Sequence, residues 1–160
     1  MSFPERTGPV DVSVLVPAKD EAENLPEFLR LCAEALGAAP FTFEVVVVDD
    51  GSRDRTALVL EAERVRNAFL TVVTHNRQRG IADALRSAGD AARGDVFVFY
   101  PADLQYLPED IPALVAPILA GRADIVTGTK QGKYEKAFVS GIYNTLCRWL
   151  TCTWKRAGSG

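Results

Sequence analysis

The sequence contains little of what stabilises small secreted proteins or binds structural zinc. Three of its 160 residues are cysteines, Cys32, Cys147 and Cys152. Their odd number and the lack of a Cys-x-x-Cys spacing argue against a disulfide framework and against a zinc site. We therefore expect a reducing, cytoplasmic setting for this chain.

Long hydrophobic runs are also missing. No apolar stretch reaches the 18 or so residues of a membrane span, and the first residues lack the apolar run of a signal peptide. The net charge of −3 argues against nucleic-acid binding. A composition of 48% hydrophobic and 24% charged residues is typical of a soluble globular protein. We predict a single domain over residues 1–157, followed by a linker or tag remnant over 158–160.

Positive charge is concentrated near the C-terminus. Between residues 130 and 156 one acid, Glu135, accompanies six bases: Lys130, Lys133, Lys136, Arg148, Lys155 and Arg156. This excess favours contact with phosphate groups or with an anionic membrane surface. A charged face that contacts only water is an equally good interpretation of the same residues.

Short apolar runs alternate with helical patterns along the chain. The runs cover residues 12–16, 43–48, 69–73, 96–100 and 124–127. Helical spacing or capping predicts helices between them, the first with a capping signal at Asp20, and others over 54–66, 80–92, 107–119 and 138–149. This alternation predicts an α/β fold with a doubly wound, mostly parallel sheet flanked by helices.

Acids follow three of the predicted strands. In a sheet of strand order 3-2-1-4, ligands bind outside the carboxyl ends, where the strand order reverses. Asp49 and Asp50 directly follow the second run, and their carboxylates would suit ribose hydroxyls and base N–H groups. A turn with a helix cap explains the string Asp49-Asp50-Gly51 equally well.

Asp103 and Gln105 follow the fourth run, two residues apart. Carboxylate and amide oxygens suit Mg²⁺ or Mn²⁺, and magnesium commonly completes its shell with substrate phosphates and water. An ordinary loop aspartate is the alternative. Near the third run, Arg77 and Arg79 precede a predicted helix N-terminus that would attract anions, while His75, the single histidine, is interpreted as structural.

Five strings in this order carry a resemblance: VLVPAKDEAENLPEFL, EVVVVDDGSRDRT, RGIADAL, YPADLQYLPEDI and IVTGTKQGKYEKAFVSGIYNTLCRWL. Together they resemble family 2 glycosyltransferases of the GT-A fold, most closely the polyprenyl-phosphate branch typified by dolichol-phosphate mannosyltransferase. The resemblance covers residues 12–150.

The resemblance implies a role for each matching residue. The implied donor-binding residues are Pro17, Ala18, Glu21, Asp49, Asp50, Ala102 and Asp103. Asp103 would also be the catalytic acid that holds the metal–diphosphate, with Gln105 as a further ligand of Mg²⁺ or Mn²⁺. The implied acceptor-phosphate residues are Lys130, Lys133, Lys136 and Ser140.

The resemblance also implies a reaction and a location. The chain would move a sugar from a GDP- or UDP-linked donor to a polyprenyl phosphate such as dolichyl or undecaprenyl phosphate. Residues 12–128 would form the donor-binding core, and 129–157 a basic segment and helix facing the acceptor and the membrane. We expect a peripheral protein of the cytoplasmic membrane face; a homo-oligomer is compatible with packing of the last helix on a second copy.

Two departures from the family pattern bear on activity. Pro101 stands where the first acid of the Asp-x-Asp motif is expected, and proline cannot ligate a metal. Family members usually also continue well past this point, so the chain is interpreted as a natural short protein, a truncated one or a chimera. Both favour the alternative of a nucleotide-sugar-binding module without turnover. A receiver-like phosphoacceptor domain would explain Lys130, but it needs an acid after the third run, where His75 stands.

Overall fold

A computed structural model describes residues 9–128. Its strands are β1 (Val10–Ala18), β2 (Phe43–Asp49), β3 (Leu70–Thr74) and β4 (Gly94–Phe99). Its helices are α1 (Leu25–Gly37), α2 (Thr56–Arg66), α3 (Ile81–Ala91) and α4 (Ile111–Leu119), with a 3₁₀ turn at Pro108–Asp110 before α4. All these elements belong to one compact unit that ends at Thr127.

The four strands form one parallel sheet of order β3-β2-β1-β4, as predicted. Helices cover both faces of the sheet, which explains why β2 is buried along its whole length. On one face α1 contributes Phe28 and Leu29 to the larger apolar core. On the other face α3 contributes the buried Ala84 and Ala88 to a second cluster, against which its partly buried Leu85 packs. The doubly wound α/β prediction is therefore confirmed.

The predicted buried face of α1 is confirmed residue by residue. Its buried side chains are those that recur at helical spacing: Leu25, Phe28, Leu29, Cys32 and Leu36. The capping prediction at Asp20 is wrong, because the helix begins only at Leu25. Asp20 has a φ of 56° and its carboxylate accepts a hydrogen bond from Arg53 N in the loop after β2 instead.

The fifth predicted strand is wrong for the described residues. Residues 124–127 form no strand there, and Ile125 is 82% exposed. A short β-branched run becomes a strand only when a neighbouring backbone accepts its hydrogen bonds, and β4 pairs only with β1 among residues 9–128. The predicted helix over 138–149 lies outside the described residues.

Candidate functional site

The parallel strands bring four loops to one edge of the sheet. Asp50 N donates to Ala18 O at 2.9 Å, and His75 N donates to Asp49 O at 2.9 Å. On the other side of β1, Tyr100 N donates to Leu15 O at 3.0 Å. The ends of β1, β2, β3 and β4 therefore share the carboxyl edge at which the sequence predicts the site.

Hydrogen bonds fix the loop after β1 against the loop after β2. Asp20 N donates to Ser52 Oγ at 2.9 Å, and Arg53 N donates to Asp20 Oδ1 at 2.7 Å. Glu21 N donates to Thr56 Oγ1 at 2.9 Å. Each bond joins a backbone N–H group to a side-chain oxygen, and Thr56 is the first residue of α2, so three contacts hold the loop after β1 to the loop after β2 and to the start of α2.

A cleft of about 380 Å³ opens at this edge. One acid, Asp49, lines this cleft together with the three cations Lys19, Arg53 and Arg77. The remaining lining residues are Gly51, Ser52, Ala57, Thr74, His75, Asn76 and Gln78. A pocket with hydrogen-bonding groups and three cations is chemically suited to a phosphorylated, polar ligand.

The two adjacent acids have different surroundings. Asp49 is 2% exposed, and its Oδ1 accepts a hydrogen bond from Ser52 N at 2.9 Å. Asp50 is 5% exposed and accepts from His75 Nδ1 at 2.8 Å. Asp50 also accepts from the backbone N–H groups of Arg79, at 2.8 Å, and Gly80, at 2.7 Å.

These contacts set the protonation state of Asp50. Burial alone raises the pKa of its carboxyl, but the hydrogen bonds from His75, Arg79 N and Gly80 N lower it further than burial raises it. The net pKa lies below the ordinary value for aspartate. Asp50 is therefore a carboxylate at neutral pH, and it accepts all three hydrogen bonds in that form.

His75 is the residue that sequence reasoning left out of the site. It is 5% exposed, and its ring contacts Asp50 through Nδ1 and Ser87 Oγ through Nε2, at 2.9 Å. Because Asp50 is an acceptor, Nδ1 carries a proton in this pair. The signal in the sequence was the position of a lone histidine at a strand end, one strand away from an acid.

Gly51 brings the loop after β2 close to the loop after β3. Its φ is 70°, and a Cβ built there would lie 2.5 Å from both Arg77 C and Gln78 N. No real side chain tolerates such a distance to backbone atoms. Only glycine fits here, for conformational and steric reasons together.

The predicted residues after β1 lie at the same edge but outside this lining. Ala18 is the last residue of β1 and is 3% exposed. The Glu21 carboxylate accepts a hydrogen bond from Asn24 Nδ2 at 2.7 Å. The lining contains Lys19 but neither Pro17, Ala18 nor Glu21.

The loop after β4 carries the predicted metal ligands. Ala102 is buried in the larger core, whereas Asp103 is half-buried and Gln105 is exposed. Asp103 Oδ1 accepts a hydrogen bond from Gln105 N at 3.1 Å across Leu104, whose φ is 58°. This turn holds the Asp103 carboxylate against the backbone of Gln105, in the loop after β4.

The donor set fits a divalent cation only in part. Within residues 9–128 no three histidine, cysteine, aspartate or glutamate side chains cluster tightly enough to hold a metal alone. One carboxylate and one amide oxygen match the few protein ligands that magnesium takes beside substrate phosphates. The residues are thus compatible with a cation that a diphosphate shares.

The predicted acceptor-phosphate residues Lys130, Lys133, Lys136 and Ser140 lie outside the described residues. In the part of the chain that the structure describes, no helix is long and apolar enough to cross a membrane.

Comparison with known families gives one match that covers most of the chain. Residues 13–151 match the family described as glycosyl transferase family 2. Among curated proteins, an undecaprenyl-phosphate 4-deoxy-4-formamido-L-arabinose transferase from Pseudomonas savastanoi pv. phaseolicola is 42% identical over 129 residues. The protein of that name from Pseudomonas paraeruginosa is 39% identical over 132 residues.

These alignments cover 79% and 81% of this chain but only 38% and 39% of the relatives. The chain therefore spans less than two fifths of the length of the curated relatives it matches.

Solved structures with a similar fold include proteins with a bound nucleotide or nucleotide sugar. A mannosyltransferase from Pyrobaculum calidifontis, in complex with GDP-Man and Mn²⁺, is 33% identical with a TM-score of 0.50. This chain covers 30% of it, and the match covers 63% of this chain. Residues 1–349 of TarS from S. aureus, in complex with UDP, are 26% identical with a TM-score of 0.59, over 79% of this chain and 38% of that one.

Proposed function

The chain belongs to glycosyl transferase family 2, and from this premise we propose that it binds a nucleotide-diphosphate sugar for transfer to a polyprenyl phosphate. The observation that carries the proposal is the cleft at the carboxyl edge of the sheet, where Asp49 and three cations surround one space. The names of the curated relatives support undecaprenyl phosphate as the acceptor class. Residues 12–128 would hold the donor, and residues 129–157 the acceptor.

Different residues of the proposed site would bind the nucleoside and the diphosphate of the donor. The nucleoside would lie in the cleft beside Asp49, whose carboxylate accepts hydrogen bonds from hydroxyl or N–H groups. Lys19, Arg53 and Arg77 would attract the negative charge of the diphosphate. Pro17, Ala18, Glu21 and Ala102 would shape the surrounding backbone, since they lie in or next to loops at this edge.

A divalent cation would be held by Asp103 and Gln105 together with the diphosphate of the donor. Such an ion supplies stabilisation of the negative charge on the leaving diphosphate. Solved neighbours that contain Mn²⁺ with GDP-Man or with UDP support a divalent ion for the family. Asp103 has one oxygen bonded to Gln105 N, which leaves its second oxygen for this task.

In the proposed reaction an oxygen of the acceptor phosphate forms a bond to the anomeric carbon of the sugar. The bond between that carbon and the diphosphate oxygen breaks, and the nucleoside diphosphate leaves with the electron pair. A phosphate acceptor is already anionic near neutral pH, so the reaction needs no strong general base. Lys130, Lys133, Lys136 and Ser140 would hold this phosphate at the cytoplasmic membrane surface.

Titration of the chain with UDP and GDP, each with and without Mn²⁺, tests donor binding, and a turnover assay with undecaprenyl phosphate tests transfer. We expect one nucleotide to bind more tightly in Mn²⁺. Asp103→Asn removes the negative ligand, so it should abolish that gain and leave metal-free binding intact. Asp95→Asn is the matched control, because Asp95 is exposed at the opposite end of β4. Failure of both nucleotides to bind would contradict the proposal.

A second candidate is a nucleotide-sugar-binding module without turnover. Pro101 favours it, since this residue stands next to the proposed metal site and offers no ligand. Nucleotide binding that ignores Mn²⁺, together with no sugar transfer, would support the module over the enzyme.

A further inference from the structure

We propose that Tyr100 is a positioning residue whose hydroxyl closes the loop 101–107 and so presents Asp103 to the divalent cation. The inference rests on the proposed function, because the cation belongs to that proposal. Tyr100 directly follows β4, and Leu107 directly precedes the 3₁₀ turn before α4. A bond between these two residues therefore joins both ends of the loop that carries the proposed metal ligands.

The side chain of Tyr100 makes this bond inside the core. The residue is 5% exposed, and its hydroxyl donates to Leu107 O at 2.6 Å. Burial and the negative charge of Asp110 raise the pKa of Tyr100 to about 12, so the hydroxyl keeps its proton and donates at neutral pH. Tyr100 N donates to Leu15 O at 3.0 Å, which fixes the same residue to β1. Tyr100 thus connects the far end of the loop to the sheet.

Aromatic contacts hold the Tyr100 ring where the bond requires it. Its centroid lies 6.3 Å from that of Phe28 in α1, with the rings tilted, and 6.4 Å from that of Tyr106, edge to face. Tyr106 belongs to the loop and is 40% exposed. The ring therefore contacts both a core helix and the loop that its hydroxyl closes.

Within the loop, residues that pack on the core alternate with the proposed ligands. Ala102 is 2% exposed, and Leu104 packs against the larger core. The residues that follow each of them, Asp103 and Gln105, are half-buried and exposed. Leu104 has a φ of 58°, a conformation that costs free energy in a residue other than glycine, so surrounding contacts must maintain it. The hydroxyl bond at the base of the loop is one such contact.

The small donor set makes the orientation of Asp103 important. Pro101 offers no ligand, so Asp103 is the acid that this loop brings to the cation. Its bond from Gln105 N spans Leu104 and depends on the conformation there. An open loop would still contain Asp103, but only the closed fraction would bind the cation well. The apparent affinity for the cation should therefore fall with that fraction.

Tyr100→Phe removes one oxygen and keeps the ring. Leu107 O still accepts from Asp110 N at 3.1 Å, so this backbone acceptor keeps a partner. Affinity for UDP and GDP is measured over a range of Mn²⁺ concentrations. We expect half of the Mn²⁺-dependent gain to need about three- to tenfold more Mn²⁺ than in wild type, the effect of one hydrogen bond on the closed fraction.

The shape of this response separates a positioning residue from a ligand. In Tyr100→Phe, affinity without metal and affinity at saturating Mn²⁺ should both stay within about twofold of wild type, because the loop can still close. Asp103→Asn should instead lack the gain at every Mn²⁺ concentration, because the ligand itself is missing.

Amide hydrogen exchange tests the loop without metal or nucleotide. In Tyr100→Phe the amide of Gln105 should exchange about three- to tenfold faster, because its bond to Asp103 depends on the closed loop. Leu60→Val is the control for general destabilisation. Leu60 is 1% exposed and belongs to the same core, but it lies in α2, which packs against β3 and α1. This control should change neither the exchange of Gln105 nor the Mn²⁺ response.

The inference is overturned if Tyr100→Phe leaves either the Mn²⁺ response or the exchange of Gln105 as in wild type. It is also overturned if Leu60→Val changes both as much as Tyr100→Phe does. If wild type gains no nucleotide affinity from Mn²⁺, the proposed function fails in its metal-dependent part. The exchange of Gln105 alone then decides whether Tyr100 holds the loop.

Discussion

Gly51 is the residue at which backbone geometry leaves the least freedom. Gly51→Ala would place a methyl group 2.5 Å from two backbone atoms of the loop 75–80, at a φ of 70°. We expect the free energy of unfolding to fall by about 1–3 kcal/mol and nucleotide affinity to fall with it, because the loop must shift. Denaturant titration and nucleotide binding measure the two effects.

Gly37→Ala is the matched control for that substitution. Gly37 ends α1, and a Cβ there meets no atom within 4 Å. Its stability should stay within about 1 kcal/mol of wild type, because alanine is the better helix former. Equal losses in the two variants would show that the close approach at Gly51 is unimportant.

Pro101 gives a prediction in the direction of gained function. Pro101→Asp adds a carboxylate two residues before Asp103, and a second hard oxygen ligand should strengthen the Mn²⁺ dependence of nucleotide binding. Calorimetric titration over a range of Mn²⁺ concentrations measures it, with Pro101→Ala as the control for loss of the ring. An identical metal response in the Asp and Ala variants would place residue 101 away from the cation.

Single residues also show where sequence reasoning ends. Acids at the ends of β2 and β4 followed from the alternation of strands and helices, and so did their common edge. The sequence does not predict which of the two acids after β2 is occupied by hydrogen bonds within the protein. The donors to Asp50 include backbone N–H groups that lie 29 and 30 residues further along the chain. The partners of His75 depend on the same loop conformation, which no local pattern encodes.

At the scale of elements, an ion pair between a buried carboxylate and an exposed guanidinium joins three segments at the amino edge of the sheet. Glu44 in β2 is 1% exposed and accepts hydrogen bonds from Ser13 Oγ in β1, at 2.7 Å, and from Arg93 N just before β4, at 2.6 Å. The Arg93 guanidinium lies 2.8 Å from Glu44 Oε2. One side chain thus fixes the starts of the central strands.

Glu44→Gln should destabilise the fold by about 1–3 kcal/mol, since charge-assisted bonds are lost while their donors remain. Arg93 is 48% exposed, and solvent screening keeps the cost at this modest level. Glu34→Gln, which removes an exposed partner of Arg30, should cost less than about 0.5 kcal/mol. Urea titration of both variants checks the ranking, and similar costs would contradict the importance of the Glu44 cluster.

Helices were predictable where apolar residues recur at helical spacing and so form one buried face. The spacing of Leu25, Phe28 and Leu29 predicts both α1 and its buried face. The run at residues 124–127 has strand composition, yet it forms no strand, because pairing depends on what lies beside it. The start of α1 differs from the predicted one for a similar reason, because Asp20 accepts a hydrogen bond from Arg53 N in another loop.

For the whole molecule, the buried carboxylates predict sensitivity to acid. Burial raises the pKa of Glu44 and of Asp50, but hydrogen bonds lower each further, and both folded pKa values lie below the ordinary ones. The unfolded chain therefore binds protons first, and stability present above about pH 4–5 is lost as pH falls through the lowered values. Unfolding free energies at pH 7, 5 and 3 should decrease in that order.

Glu44→Gln supplies the comparison for this pH dependence. Its stability should fall less steeply between pH 5 and pH 3, because one of the two buried carboxylates with a lowered pKa no longer takes up a proton on unfolding. Parallel curves for the variant and wild type would show that other groups govern acid unfolding.

The single strand β2 carries Glu44 near its start and leads into Asp50 past its end, about 20 Å apart at the rise of a strand. The residue that we expect to stabilise the fold and the acid at the proposed nucleotide site therefore lie at opposite ends of one strand. Random libraries confined to the four loops at the carboxyl edge would change nucleotide binding and leave the cluster around Glu44 intact. Substitutions around Glu44, at the amino end of β2, should instead change thermal and acid stability without changing which nucleotide binds.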